Sequence, residues 1–166
     1  MSAHARAFLR GTKPFAAMDD ADLAPLAASM TELRLREGQI LMQEGDLGGQ
    51  MYFLRAGSLA IAKRVRDGIE HVVARIAPGE FVGEMALFDH RPRSASIRAE
   101  ADSDLFVLNR SAVHALIALN PAAAAAFLRA LSDEFIARLR RSNELIAEVT
   151  CAVLQASGFR VEDWRG

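Results

Sequence analysis

The feature that most constrains this chain is the glycine punctuation of residues 32–108. Gly38, Gly45, Gly48, Gly49, Gly57, Gly68, Gly79 and Gly83 break the stretch into short apolar runs. Such runs suit strands better than helices. Gln39–Met42, Met51–Arg55, Ser58–Val65, His71–Ile76, Ala95–Ala99 and Asp104–Leu108 are the expected strands. Short strands recurring every 8–12 residues or so favour an antiparallel barrel or jelly roll over a parallel sheet. Arg66-Asp67-Gly68 supplies a hairpin turn through its Asp-Gly pair.

Helical periodicity brackets this region. Phe8, Leu9, Phe15, Met18, Leu23, Leu26 and Met30 follow a helical pattern that Pro14 interrupts, and Asp19 or Asp20 is placed to cap a second short helix. Asn109 is placed to cap a helix over 110–119, and Asn120-Pro121 opens another that runs to about Ala156, before Ser157-Gly158. Leu128, Leu131, Phe135, Leu139, Leu145 or Ile146, and Val149 give that helix an apolar stripe. The stripe suits the chain's own barrel or a second copy, so a homodimer through this helix is an open expectation. The expected class is α+β. A helical segment (1–31) leads into an antiparallel β-roll or jelly roll (32–108), then helices (109–157) and a tail (158–166) that holds Trp164.

Composition removes several functions. Lys and Arg (20) nearly balance Asp and Glu (21), so the chain lacks the broad basic field of a dedicated nucleic-acid binder. Cys151 stands alone, which excludes an intrachain disulfide and a thiolate metal cluster. His4, His71, His90 and His114 show no short metal-ligand spacing. Ser94 and Ser96 have no patterned histidine nearby and there is no Gly-x-Ser-x-Gly elbow, so catalysis is not expected. No apolar stretch reaches the roughly 18 residues that span a bilayer, and the start has no signal-peptide core. The expected location is cytoplasmic, with no membrane partner.

The segment from Phe81 to Ile97 lies within the β-rich region but does not read as a strand. Gly83 permits a close backbone approach, and residues 84–87 can form one helical turn with free N–H groups. Arg93 then supplies a fixed positive fork, Ser94 a hydroxyl, and Ala95 an N–H behind a small side chain. Together they form a socket for a singly charged phosphate. Glu84 has no place in a site for an anion alone, but a carboxylate accepts from a ribose hydroxyl. A ligand with a phosphate and a free ribose hydroxyl satisfies both.

Gly-Glu-x-Ala-Leu (83–87) followed by Pro-Arg-Ser-Ala-Ser-Ile (92–97) resembles the phosphate-binding cassette of cyclic nucleotide-binding domains, such as those of the catabolite activator protein and protein kinase A regulatory subunits. Glu44-Gly45-Asp46, Met51-Tyr52-Phe53-Leu54, Ala56-Gly57, and Leu116-Ile117 through Asn120-Pro121 extend the likeness over roughly residues 8–150. The resemblance implies that Glu84 takes the ribose 2′-hydroxyl and Arg93 the exocyclic phosphate oxygen. It implies that Ser94 and the N–H groups of Ala86 and Ala95 complete the phosphate cage, with Gly83 against the ribose and Met85 in the same turn. Ser142 and Asn143 on the long helix are its implied base contacts. Ser94 beside Arg93 resembles cAMP-responsive relatives, although a hydroxyl there also suits cGMP.

The resemblance implies a sensor in which the ligand, cAMP or cGMP, reorders the C-terminal helix and a downstream protein partner reads the change. Roughly ten residues follow that helix, too few for a helix-turn-helix domain, so the expected output lies in a separate protein. A fragment of a regulated transcription factor or channel, and a dimerisation scaffold with a vestigial pocket, are the competing expectations.

Overall fold

A computed structural model describes residues 2–12, 15–64 and 69–157. Two compact units divide between Phe127 and Leu128. The first contains helices α1 (Ser2–Gly11) and α2 (Asp20–Ala28), then strands β1 (Thr31–Leu35), β2 (Ile40–Met42), β3 (Gln50–Ala56), β4 (Leu59–Arg64), β5 (Glu70–Ile76) and β6 (Phe81–Val82). A 3-10 turn (Glu84–Leu87), β7 (Ser96–Ala99), β8 (Ser103–Asn109) and α3 (Arg110–Leu119) follow. Helix α4 (Pro121–Ala156) begins in the first unit and continues through the second.

The strands form two four-stranded antiparallel sheets, ordered β1-β8-β3-β6 and β2-β7-β4-β5. This is the expected β-roll between short N-terminal helices and a long C-terminal helix. Two strands were not legible in the sequence. Thr31–Leu35 alternates charged and apolar residues and exposes most of its length, and Phe81–Val82 is only two residues long. The Arg66-Asp67-Gly68 turn, the end of the expected strand at Val65, Pro14, and the tail with Trp164 lie outside the described residues.

Side-chain alternation explains how the first sheet is held. Tyr52 and Leu54 of β3 and Leu105 and Val107 of β8 join Met42, Leu59, Ile76, Val82, Ile97 and Ala99 in the core between the sheets. The intervening residues Met51, Phe53, Phe106 and Leu108 are buried as well, on the opposite face. There Phe15 stacks on Phe127 with ring centroids 5.7 Å apart and meets Phe53 at 5.7 Å, while Phe8 lies 5.3 Å from Phe106. Strands buried on both faces read as continuous apolar runs, as Met-Tyr-Phe-Leu and Leu-Phe-Val-Leu do.

The caps follow the sequence with one correction. Asp19 Oδ1 accepts the Asp22 N–H at 3.0 Å, and Asn120 Oδ1 accepts the Ala123 N–H at 3.1 Å. Asn109 occupies the cap position of α3 but makes no side-chain capping bond. It is still the last residue of β8, paired with Gln50, and the Arg110 N–H donates instead to the Gly49 carbonyl at 2.7 Å. In the second unit, Glu134 accepts from Arg138 at 3.0 Å and Arg141 at 3.2 Å along one helix face. Leu139, Leu145, Ile146, Val149 and Val153 are exposed.

Gly57 turns the chain from β3 in the first sheet into β4 in the second at φ 97°, where an added Cβ would meet the Asp102 carbonyl oxygen at 2.5 Å and Ser103 Cα at 2.7 Å. Gly79 shares the left-handed geometry at φ 92° but faces open space. Gly79→Ala should therefore cost only the backbone strain, about 1–2 kcal/mol. Gly57→Ala should cost distinctly more, because backbone must move. Urea unfolding of the two variants checks the order; equal losses would contradict it.

Candidate functional site

The site forms at one edge of the first sheet. Antiparallel register brings the end of β8, the start of β3 and the end of β6 together, with Gln50 opposite Asn109 and Tyr52 opposite Val82. The chain leaves β6 through Gly83, at φ 76°, directly into the 3-10 turn. Only glycine takes that conformation cheaply. The expected helical turn over 84–87 is present.

Arg93 is the one charged side chain in the buried class among the described residues, 8% exposed. Its Nη1 donates to the Gly83 carbonyl at 3.1 Å and its Nη2 to the Gln50 carbonyl at 2.9 Å. Its guanidinium carbon lies 5.9 Å from the Tyr52 ring centroid, within cation–π range. Burial pushes the Tyr52 phenol up, against an opposing pull from the Arg93 charge, so the ring stays neutral beneath the cation. Among the described residues no carboxylate pairs with Arg93. A buried cation is ordinarily paired, because desolvation penalises it and carbonyl dipoles return only part of the loss.

The surrounding loops are shaped to the guanidinium. A Cβ on Gly48 would stand 2.7 Å from Arg93 Nη2, and one on Gly83 2.8 Å from Nη1. The Arg93 backbone is clamped as well: its N–H donates to the Asp46 carbonyl at 2.8 Å and its carbonyl accepts the Gly45 N–H at 2.9 Å. The turn at residues 44–46 is anchored by Glu44, whose carboxylate accepts the Arg64 N–H at 2.9 Å and a bond from Lys63 Nζ at 3.2 Å. The Arg64 bond, with Lys63 adding to it, holds the Glu44 carboxyl below its ordinary range. Ser96 Oγ ties the same turn down, accepting the Glu44 N–H at 3.1 Å and donating to Glu70 at 3.0 Å.

Of the residues singled out by sequence, Gly83, Glu84, Met85 and Ala86 lie on one turn that Arg93 touches through Gly83, with Ser94 and Ala95 next along the chain. Glu84, Gly83 and Ala95 are half-buried, Ala86 is buried, and Met85 and Ser94 are exposed. The expectation of a free Ala86 N–H needs correcting: it donates to the Gly83 carbonyl at 3.2 Å and closes the turn. Ser142 and Asn143 are exposed on α4 in the second unit. Gln50, Tyr52 and Arg110 escaped the sequence reading. Only the adjacent glycines at 48 and 49 hinted that a side chain crosses there.

The family model for the cyclic nucleotide-binding domain matches residues 32–120, more than half of the chain. This chain belongs to that family. Over 135 residues it is 27% identical to a CRP-like cAMP-activated global transcriptional regulator of Mycobacterium tuberculosis, covering 81% of this chain and 58% of that protein. The chain thus spans little more than half the length of that curated relative. The N-terminal domain of a Streptomyces coelicolor A3(2) transcriptional regulator superposes with a TM-score of 0.70 at 35% identity, covering 84% of this chain and 94% of that one. The regulatory domain of Toxoplasma gondii PKA, in co-crystal with cAMP, gives 0.62 at 32% identity, over 69% and 43%.

Gly48→Ala tests the cradle. The atoms nearest the new Cβ are the far end of Arg93, so the backbone should keep its course while the guanidinium is pushed off its carbonyls, with a modest fall in unfolding midpoint. Cyclic nucleotide affinity should fall about tenfold, the equivalent of losing roughly one charge-assisted hydrogen bond. Calorimetric titration beside thermal unfolding checks both halves; unchanged affinity would show that Gly48 does not set the arginine.

Proposed function

We propose that this domain is a cyclic nucleotide receptor, with cAMP the favoured ligand, that signals through rearrangement of α4 to a separate protein partner. The observation that carries the reading is the buried Arg93 guanidinium, held by two neutral carbonyls and an aromatic face with no acidic partner among the described residues. A cyclic phosphate supplies the single negative charge that this arrangement lacks. The preference for cAMP draws support from Ser94 beside Arg93 and from the relatives, one of them cAMP-activated and another crystallised with cAMP.

Arg93 takes the exocyclic phosphate oxygen, with Ser94 Oγ and the Ala95 N–H beside it. Glu84 accepts from the ribose 2′-hydroxyl, and Gly83 lets the sugar lie against the backbone. For the Ala86 N–H to join the cage, its bond to Gly83 must open or be shared, so the turn adjusts on binding. Met85 borders the sugar and base, and Ser142 and Asn143 are the polar candidates for base contact. The domain binds its ligand without transforming it.

Binding can move α4 only by favouring one helix position over another. The exposed stripe of Leu139, Ile146, Val149 and Val153 offers the surface on which the partner, or a second copy, reads that position. No described helix is long and apolar enough to cross a membrane.

Titration of the purified chain with cAMP, then cGMP, tests the proposal. Micromolar or tighter binding is expected, with cAMP preferred. Arg93→Ala should weaken it about ten- to a hundredfold, the loss of a hydrogen-bonded charge worth roughly 1.5–3 kcal/mol. Folded, ligand-free protein that binds neither nucleotide would sink the receptor reading. Binding that Arg93→Ala leaves unchanged would sink the site.

A further inference from the structure

Arg110, the first residue of α3, stands outside every role assigned above. Its Nε donates to the Ala86 carbonyl at 2.7 Å, and its Nη2 donates to the carbonyls of Ala86 and Asp89. Its own N–H donates to the Gly49 carbonyl at 2.7 Å, and its side chain lies over Gly49, where a Cβ would come within 3.6 Å of it. Among the described residues it pairs with no carboxylate. Arg93 joins the same two stretches of backbone, 49–50 and 83–89, through Gln50 and Gly83.

We infer that Arg110 is the positioning residue of the phosphate site, fixing from the α3 side the turn that Arg93 holds from the ligand side. The inference rests on the cyclic nucleotide reading for its ligand, but its hold on the turn stands without one. Four residues of 3-10 helix have little stability of their own. Backbone bonds from Ala86 to Gly83 and from Phe88 and Asp89 to Met85 also hold the turn. Take away Arg110, and the carbonyl of buried Ala86 loses its side-chain donors. Gly83, which supplies a carbonyl to Arg93, and Ala86, which supplies an N–H to the phosphate, then drift together. Lysine cannot substitute, since one ammonium on a flexible stem does not reproduce a planar fork spanning two carbonyls. Arg110 needs no contact with the ligand to act in this way.

The test uses Arg110→Met and Arg110→Lys in the full chain, with two readouts. Without ligand, amide exchange at Phe88 and Asp89 should quicken at least tenfold or so, the signature of local opening, while Phe106 in β8 stays protected. In calorimetry both variants should lose about tenfold in cAMP affinity, and either change should cost little more when placed on Arg93→Ala, because the two arginines act through one turn. A purely structural helix-start residue would instead weaken binding equally in both backgrounds. Unchanged exchange at Phe88 and Asp89, or fully additive affinity losses, would overturn the inference. If the unmutated chain binds neither cAMP nor cGMP, the receptor reading fails by itself and the exchange readout still decides whether Arg110 fixes the turn.

Discussion

A guanidinium buried in the wall of a β-roll, with no carboxylate among the described residues to neutralise it, sets the terms for everything around it. Arg93 loses most of its hydration and regains two carbonyl bonds and the face of Tyr52. Each of these partners must be in place at once, because a half-satisfied buried charge is worse than an apolar substitute. The glycines at 48 and 83, the clamp between Arg93 and residues 45–46, and the anchoring of Glu44 to β4 all follow from that requirement. In the proposed site an anion would complete the set, and its stabilisation of the folded state would grow with the logarithm of its concentration over its dissociation constant.

The two sheets differ in a way that suits this task. The central strands of the first, β3 and β8, are buried on both faces, between the inter-sheet core and the Phe15–Phe53–Phe81–Phe127 cluster, whereas β5 at the edge of the second is exposed along most of its length. The carbonyls that receive Arg93 come from the first sheet's margin: Gln50 opens β3, and Gly83 follows β6 directly. Arg110 leaves β8 at the same margin. The groups of the proposed site thus lie on short loops, but the loops spring from deeply buried strands. Precision comes from the sheet and reach comes from the loops.

Most of the fold was legible because glycine spacing and apolar runs are local signals. Strands such as Met51–Arg55 and the long helix from Pro121 announce themselves within a dozen residues. Strand β1 did not, since Thr-Glu-Leu-Arg-Leu becomes a strand only by pairing with β8, more than 60 residues away in sequence. The cassette was legible as residue types at fixed spacing, but its geometry was not. Gly49 and Arg110 approach only through the register of β3 against β8, and nothing local marks Arg110 as more than a helix-start residue. Asn109 shows the same limit: its type favours capping, but the strand pairing it continues prevails over that local preference.

The Gly83 carbonyl is where these threads meet. It has two lone pairs and accepts from both Arg93 Nη1 and the Ala86 N–H, the two donors that the proposed site assigns to a phosphate. A phosphate that claims either donor leaves the carbonyl undersatisfied in a partly buried place, and the peptide that carries it responds by rotating or by taking on water. Gly83 can follow that rotation because it carries no Cβ, whereas Ala86 is pinned through its carbonyl to the start of α3. Motion at the phosphate is therefore absorbed unevenly, freely at the glycine end of the turn and stiffly at the end tied to the helix. In the proposed site, that unevenness would give anion binding a direction in the fold, from the strand edge toward α3.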